Sequence, residues 1–266
     1  MSHESLRLDV EGPVAWLRLN RPQRANAIDL ALWTALPQAL EEIGRQAAVR
    51  VVVLAGEGRH FCGGADLSLL ASLAGVGRAD GCQAEARDRL RGEILRLQRA
   101  FSALEALPVP VIAAVHGACI GAGVDLIAAC DLRYATVDAR FCIKEVDLGI
   151  AADVGTLQRL GHVVGLPVLA ELAYTAETIG GERARELRLV NGIYATQEAL
   201  YEGVAALAQR IAAKPALAVR GIKHNLLYAR EHSVADALEH IAVWNASALQ
   251  SADCERLLAE AGGRGR

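Results

Sequence analysis

The sequence predicts an α/β fold, because strand-like and helix-like segments alternate along most of the chain. Short apolar runs rich in β-branched residues are separated by segments whose apolar residues recur at helical spacing. Glycine-rich turns follow two of the strand-like runs. With 266 residues, 53% of them hydrophobic, the chain is long enough for one large domain or one domain with an appendage.

The N-terminal elements are predicted to be a hairpin, a helix and a buried strand. Residues 6–10 and 14–19 alternate in polarity around Glu11-Gly12-Pro13, a pattern typical of a hairpin. A helix is expected over residues 28–43. The continuous β-branched run over 49–54 indicates a strand buried on both faces.

The middle of the chain is predicted to begin with loops and then to resume the alternation. Segments 56–67 and 72–85 are expected to be irregular. A helix ending before Pro108 is indicated by apolar residues on one face, namely Leu90, Ile94, Leu97, Phe101 and Leu104. After it we expect a strand over 109–115, a helix over 121–130 and strands over 132–135 and 140–143.

From about residue 157 the sequence becomes helical. One face of a helix is formed by Leu200, Val204, Leu207 and Ile211. Pro215 is expected to begin the next helix, and Ser233 to be the N-cap of a last one. We therefore predict a core domain over 1–205 and a C-terminal helical region over 206–266 that packs on the core or on another subunit.

Composition argues against several classes of protein. A net charge of -3 provides no electrostatic footprint for nucleic acid or an anionic membrane. The six cysteines contain no C-x-x-C pair, and the N-terminus is polar without a secretory signal, so a cytoplasmic protein with reduced thiols is expected. The apolar stretch 106–130 could span a bilayer by length, but its prolines and Asp125 favour a buried strand, turn and helix.

Three acidic residues, Asp125, Glu145 and Asp153, stand among apolar and small residues. A carboxylate in such surroundings is costly to ionise, and its raised pKa suits it to proton transfer near neutral pH. Each has an ordinary interpretation when taken alone. Asp125 could be a packing residue, Glu145 could pair with Lys144, and Asp153 could cap a helix.

Two glycine-rich segments, 61–67 and 116–123, follow buried strands. Small residues let backbone N–H groups approach a ligand, and two N–H groups converging on one oxygen form an oxyanion hole. Taken singly, each of these glycines can be interpreted as an ordinary turn residue. A dinucleotide site is disfavoured because Leu126 occupies the place of the third glycine, and no motif of the sequence supports a metal site. Together with the acids, the loops indicate a site that forms an enolate.

Four motifs combine into a recognisable set. They are Leu19-Asn20-Arg21-Pro22, Gly63-Gly64-Ala65-Asp66-Leu67, the segment from His116-Gly117 to Ala135, and the segment from Gly149 to Leu160. With this set the chain resembles the enoyl-CoA hydratase/isomerase (crotonase) superfamily over nearly its whole length.

The resemblance implies a crotonase-type spiral of ββα units with a C-terminal helical trimerisation region, and hence a homotrimer or hexamer. It implies an acyl-CoA thioester whose carbonyl oxygen lies between the backbone N–H groups of Ala65 and Ala122. Further substrate- and CoA-binding positions carried over from the family are Ala25, Ala27, Gly63, Gly64, Asp66, Leu67, Gly121 and Gly123. Whether Lys223 contacts the CoA phosphates stays open.

The acids indicate a subfamily. Hydratases of this superfamily carry glutamates at the positions of Asp125 and Glu145 and usually glycine at that of Asp153. The set found here looks like the Δ3,5-Δ2,4-dienoyl-CoA isomerases, which implies conversion of 3,5-dienoyl-CoA to 2,4-dienoyl-CoA in fatty-acid β-oxidation. One acid would serve C2 and another C6. Glu145 at C2 and Asp153 at C6 is the favoured order and the reverse stays open, while Asp125 would orient the pair or hold a water.

No metal, nicotinamide or flavin is expected, because the double-bond shift involves no net redox change. Two alternatives lie in the same superfamily: hydration of 2-enoyl-CoA and Δ3-Δ2 isomerisation. An alternative of another class is a non-catalytic CoA- or RNA-binding scaffold, which the retained acids and the absence of a basic patch in the sequence disfavour. A protease of related fold is disfavoured because no Ser-His arrangement is evident.

Overall fold

The computed structural model describes residues 4–76 and 82–263. The strands are β1 (Leu6–Glu11), β2 (Val14–Leu19), β3 (Val51–Gly56), β4 (Val111–Val115), β5 (Ala118–Ile120), β6 (Leu132–Thr136), β7 (Arg140–Cys142), β8 (Ile179–Gly180) and β9 (Gly192–Tyr194). The helices are α1 (Leu30–Arg45), α2 (Leu67–Val76), α3 (Gln83–Ala106), α4 (Ala122–Ala128), α5 (Thr156–Arg159), α6 (Gly161–Val164), α7 (Leu166–Thr175), α8 (Gly181–Glu186), α9 (Gln197–Ala212), α10 (Ala216–Glu231), α11 (Val234–Ala248) and α12 (Ala252–Gly263). Short 3-10 turns cover Pro22–Arg24 and Glu145–Leu148.

The strands form two sheets that confirm the predicted α/β class. The larger sheet has the order β1-β2-β3-β4-β6-β9, and the smaller one the order β5-β7-β8. The predicted hairpin is confirmed, since β1 and β2 pair antiparallel, with Leu8 opposite Leu17. The other pairings in the large sheet are parallel.

The large sheet is covered on both faces, which explains the continuous apolar run of β3. Val52 and Leu54 belong to the main core, together with buried side chains of α1, α3 and α4. Val51 and Val53 point the other way and pack in a second cluster with residues of α9. A strand buried on both sides loses the usual apolar–polar alternation. The predicted domain boundary at residue 205 falls inside α9, and that division stays a prediction.

Helix α2 shows where the sequence-based prediction was wrong. Residues 72–76 continue α2 and residues 83–85 already belong to α3, whereas both were expected to be loop. Leucine and alanine in residues 67–76 favour a helix, and Leu69 is buried. Residues 77–81 of the predicted loop lie outside the described residues.

Other boundaries were predicted more closely. The apolar stretch 106–130 contains β4, β5 and α4, and no helix of residues 4–76 and 82–263 has the length and apolarity needed to cross a bilayer. The Ser233 hydroxyl accepts the Asp236 N–H at 3.2 Å, as expected of an N-cap of α11. The helix α12, which follows α11, was not predicted. The three short strands β5, β8 and β9 were also missed, because two or three residues carry too little periodic signal.

Lys223 ties α10 to the sheet rather than to a ligand. Its side chain is only 5% exposed, and its Nζ donates to Asp131 Oδ2 at 2.8 Å and to the Val109 carbonyl at 3.1 Å. Asp131 Oδ2 also accepts the Val111 N–H at 2.8 Å. This ion pair occupies the Lys223 ammonium group and disfavours a contact with the CoA phosphates.

We expect Lys223→Met to lower the free energy of unfolding by about 2–3 kcal/mol, because it leaves the half-buried Asp131 carboxylate without its cation. Urea unfolding followed by circular dichroism measures the change. Lys144→Met is the matched control, since Lys144 pairs with Asp147 on the surface, where such pairs contribute less than about 1 kcal/mol. Equal losses in the two variants would contradict a structural ion pair at Lys223.

Candidate active site

The two glycine-rich segments lie side by side because a short parallel bridge joins them. The backbone of Cys62, which follows β3, forms an isolated parallel β-bridge with the backbone of Cys119 in β5, and both thiols are free. The Cys62 N–H donates to the Ala118 carbonyl at 2.9 Å, and the Ile120 N–H donates to the Cys62 carbonyl at 3.0 Å. The bridge brings the loop after β3 against the start of α4.

Close contact between the two segments requires glycine at two positions. Gly64 has a φ of +107°, and a Cβ there would lie 3.2 Å from the Ile120 carbonyl oxygen. A Cβ at Gly123 would lie only 2.9 Å from the Cys62 Cβ. A side chain at either position would push the segments apart, so these glycines set the spacing of the site.

The backbone N–H groups of Ala65 and Ala122 are free to bind a ligand. Ala122 is the first residue of α4, and Ala65 follows Gly64 in the facing loop. Neither N–H has an acceptor within the described part of the chain. The two segments that the bridge joins therefore each supply an unpaired donor, as an oxyanion hole requires.

Ala25 and Ala27, expected near CoA, lie in a tight turn beside Gly63. The Gly63 N–H donates to the Ala25 carbonyl at 2.7 Å, and Arg21 Nη1 donates to the Ala27 carbonyl at 2.5 Å. Ala25 has a φ of 49°. Gly63 is exposed, so this turn borders the open side of the segment that carries Ala65.

Asn26 holds that turn and was missed by the sequence analysis. Its side chain is fully buried, donates to the carbonyls of Glu57 and His60 at 2.9 and 2.7 Å, and accepts the Arg21 N–H at 2.8 Å. Its φ is 54°, a conformation that asparagine tolerates better than most residues. An asparagine close behind the Leu19–Pro22 motif was the signal available in the sequence.

Asp66 and Leu67, also expected at the site, differ in their surroundings. Hydrogen bonds from the Ser68 hydroxyl and N–H, helped by the nearby Arg21 guanidinium, lower the pKa of Asp66. Asp66 therefore stays ionised and anchors the loop. Leu67 begins α2 and is 70% exposed, so its side chain is available to a bound molecule.

Two of the three acids lie in or beside the first turn of α4. Asp125 lies in α4, is 1% exposed, and accepts the Thr156 N–H through Oδ1 at 2.7 Å. Glu145 begins the 3-10 turn Glu145–Leu148, and a Cβ at Gly121 would lie 3.2 Å from its Oε1. Its Oε2 is buried and has no hydrogen-bond partner in the described residues.

Asp153 lies beyond Glu145, in the segment that leads to α5. Asp153 is partly exposed at the edge of an open cleft of about 570 Å³ between α3, α5 and α10. The charge of Asp153 contributes to raising the pKa values of both Asp125 and Glu145, so the three carboxylates form one electrostatic cluster.

All three acids hold protons more tightly than ordinary carboxyl groups. Burial, reinforced by the charges of Glu145 and Asp153 and opposed by the Thr156 hydrogen bond, raises the pKa of Asp125 to about 7. Burial and the charge of Asp153 raise the pKa of Glu145, and partial burial raises the pKa of Asp153. Such a cluster can both accept and deliver protons near neutral pH.

The raised pKa of Asp125 predicts a pH-dependent stability. An unfolded aspartate has a pKa of about 4, and below that pH the stabilising contribution of protonated Asp125 is complete. This contribution is lost as the pH rises through about 7, the pKa of Asp125 in the folded protein. The loss lowers the free energy of unfolding by up to about 4 kcal/mol in total. We expect Asp125→Asn to flatten the fall of the unfolding free energy over this window.

Urea unfolding at a series of pH values measures that flattening. Asp147→Asn is the control, because Asp147 is exposed and paired with Lys144. A slope that Asp125→Asn leaves unchanged would contradict the buried carboxyl group as its source. Glu145 and Asp153 leave a residual slope of the same sign, since their pKa values are also raised.

The chain is similar to a known family and to known proteins over most of its length. Residues 9–256 match the family described as Enoyl-CoA hydratase/isomerase. A peroxisomal Delta(3,5)-Delta(2,4)-dienoyl-CoA isomerase of Arabidopsis thaliana is 43% identical over 250 residues, 94% of this chain and 90% of that protein. The mitochondrial Delta(3,5)-Delta(2,4)-dienoyl-CoA isomerase of Homo sapiens is 44% identical over 254 residues, 95% of this chain and 77% of that protein.

Solved structures share the fold. An enoyl-CoA hydratase from Bacillus anthracis superposes with a TM-score of 0.87 at 29% identity, covering 98% of this chain and 96% of that one. A protein from Thermobifida fusca YX, solved in complex with acetoacetyl-CoA, has a TM-score of 0.80 at 35% identity, covering 92% and 95%.

The comparison corrects the expected cytoplasmic location, which is wrong. Dienoyl-CoA isomerases that are 43–44% identical to this chain are named as peroxisomal or mitochondrial proteins. The expectation had rested on reduced cysteines and on a polar N-terminus without a secretory signal. Neither feature distinguishes the cytoplasm from these organelles.

Proposed function

The chain belongs to the enoyl-CoA hydratase/isomerase family, and we propose that it converts 3,5-dienoyl-CoA to 2,4-dienoyl-CoA in β-oxidation. The superfamily and the crotonase-type fold predicted from the motifs are confirmed. The isomerase prediction agrees with the names of relatives that match 94–95% of the chain. The observation that carries the proposal is the third carboxylate, Asp153, in the cluster with Glu145 and Asp125.

Proton removal at C2 is the first step of the proposed mechanism. The C2 proton of a 3,5-dienoyl thioester is acidic because the resulting anion spreads over the thioester and the diene. The free N–H groups of Ala65 and Ala122 would hold the thioester oxygen, where each such donor contributes about 3–4 kcal/mol in the transition state. Glu145 adjoins Gly121, next to the Ala122 donor, which supports it as the base at C2, one bond from the carbonyl carbon.

Protonation at C6 is the second step. C6 lies several ångströms from C2, so one side chain cannot easily serve both carbons. Asp153 follows Glu145 in the chain, in the segment that leads to α5. Its raised pKa helps it to carry a proton that it can deliver. Asp125, oriented by the Thr156 N–H, would set the charge state of the pair.

The same family resemblance supports the proposed mode of substrate binding and the proposed assembly. The acyl-CoA would enter beside the turn of Ala25 and Ala27 and the loop from Gly63 to Leu67, while Gly121 and Gly123 let the thioester approach α4. No metal, nicotinamide or flavin would take part, since the shift is redox-neutral. We propose a homotrimer or hexamer built by residues 206–266, which is supported by exposed apolar side chains on α10–α12 and in the turn between α11 and α12, namely Ile222, Leu226, Val234, Leu238, Val243, Leu249 and Leu258.

The proposal is tested by mixing the purified protein with 3,5-octadienoyl-CoA and following the ultraviolet band of the conjugated 2,4-dienoyl thioester. Growth of that band, with slow or no hydration of crotonyl-CoA, is the expected result. A second candidate, enoyl-CoA hydratase, is favoured by the hydratase names of structural neighbours. Fast hydration without growth of the dienoyl band would establish that candidate instead.

A further inference from the structure

One face of α3 contacts the segment that carries Asp153. Gln98 Nε2 donates to the Asp153 carbonyl at 2.7 Å. One turn later the Ser102 hydroxyl accepts from Arg159 Nη2 at 3.0 Å, and Glu105 Oε2 accepts from Arg159 Nε at 3.2 Å. Positions 98, 102 and 105 have helical spacing, so they approach the segment from one direction.

Arg159 folds back over the backbone that follows Asp153. Its Nη1 donates to the Val154 carbonyl at 3.3 Å. A Cβ at Gly155 would lie 1.7 Å from Nη1, so the glycine leaves the space that the guanidinium fills. The planar group thereby joins the Val154 carbonyl to the Ser102 and Glu105 side chains of α3.

Glu105 extends these contacts to the C-terminal helices. Its Oε1 accepts from Arg230 Nη1, near the end of α10, at 2.6 Å. Burial would raise the pKa of Glu105, but the Arg230 hydrogen bond and the charges of Arg159 and Arg230 hold that pKa below its ordinary value. An ionised Glu105 therefore bridges two guanidinium groups, one from the Asp153 segment and one from α10.

We propose that Glu105 and Arg159 are positioning residues, which hold the Asp153 carboxyl group where it can reach the far end of a bound diene. The inference rests on the proposed isomerase function and adds residues that touch no reacting atom. Arg159 contacts this segment at the Val154 carbonyl, so it acts on Asp153 by holding the backbone that carries it. Any loosening of the contacts displaces the acid that serves one end of the reaction and leaves the other end intact.

The test separates the two ends of the reaction in Glu105→Gln, which keeps the shape of the side chain and removes its charge. We expect kcat for formation of the 2,4-dienoyl thioester to fall about 10- to 100-fold, with KM changed less than about threefold. Exchange of the substrate C2 hydrogen with D₂O, followed by mass spectrometry, needs only Glu145 and the oxyanion hole. That exchange should stay within about threefold of wild type.

A second variant and a matched control keep the result interpretable. Arg159→Lys retains the charge but loses the planar fork, and we expect the same pattern as in Glu105→Gln. Glu93→Gln is the control, because Glu93 lies on the same helix and accepts from Arg96 in an exposed pair. Thermal unfolding of all three variants identifies any that fails to fold.

Two results would overturn the proposal. One is that both folded variants convert the substrate as fast as Glu93→Gln does. The other is that C2 exchange falls in step with conversion, which indicates general damage to the site. The wild-type rate is measured first, since a wild type that forms no 2,4-dienoyl thioester refutes the proposed function itself.

Discussion

An Asp153→Asn enzyme is expected to form 2,4-dienoyl-CoA about 10³-fold more slowly than wild type, because an amide cannot deliver the proton that C6 needs. Asp153 is exposed at the cleft edge, so the substitution removes no core packing. Substrate should still bind, since neither oxyanion donor nor the turn at Ala25 contacts this side chain. The C2 hydrogen should continue to exchange with D₂O, which marks the variant as blocked at the second step only.

The measurement pairs the ultraviolet assay with C2 exchange in the same sample. Asp147→Asn is the matched control, because Asp147 is a nearby aspartate that is exposed and bound to Lys144. If Asp153→Asn retained conversion and the control behaved alike, Asp153 would not be a proton carrier. If exchange at C2 were lost instead, the order of the two acids would be reversed.

A Glu145→Gln enzyme is expected to lose about 10³-fold in both conversion and C2 exchange, because the first proton is no longer removed. The variant should also lower the pKa of Asp125, since the charge of Glu145 is one of the causes that raise it. The stability profile of Asp125 then shifts toward lower pH. The rate measurements and the stability measurements therefore test the role of Glu145 independently.

Glu145→Gln is measured by deuterium exchange, steady-state rates and pH-dependent unfolding. Binding of a CoA thioester by calorimetry serves as the control for an intact site. Retention of C2 exchange in this variant would exclude Glu145 as the base. A shift of rates without any shift in the stability profile would contradict the electrostatic link to Asp125.

Local signals in the sequence predicted much of the fold and of the candidate site. The hairpin, the doubly buried β3 and the Ser233 cap each depend on residues close together in the chain. The acids and glycine loops were predicted from unusual residues in apolar surroundings. Their catalytic roles stay predictions until the variants are measured.

What the sequence could not predict depends on contacts between distant segments. Asn26 is buried under carbonyls 31 and 34 residues away, and Glu105 meets Arg230 across 125 residues. A polar residue with a distant partner has the same local pattern as a solvated one. Helix α2 was missed for a different reason. Serine and glycine near residue 72 indicated a polar loop, although the leucine and alanine residues around them favour a helix.

The backbone β-bridge at Cys62 and Cys119 also makes the recovery of activity a late event in folding. The two backbone donors come from segments separated by α2 and α3, and long-range pairing, here and between β3 and β4, brings these segments together. Helices such as α1 and α3 can form within microseconds from local contacts, whereas parallel pairing requires closing a long loop. During refolding, helical signal should therefore recover before turnover. The return of activity marks the moment at which the whole core, rather than any one segment, has closed.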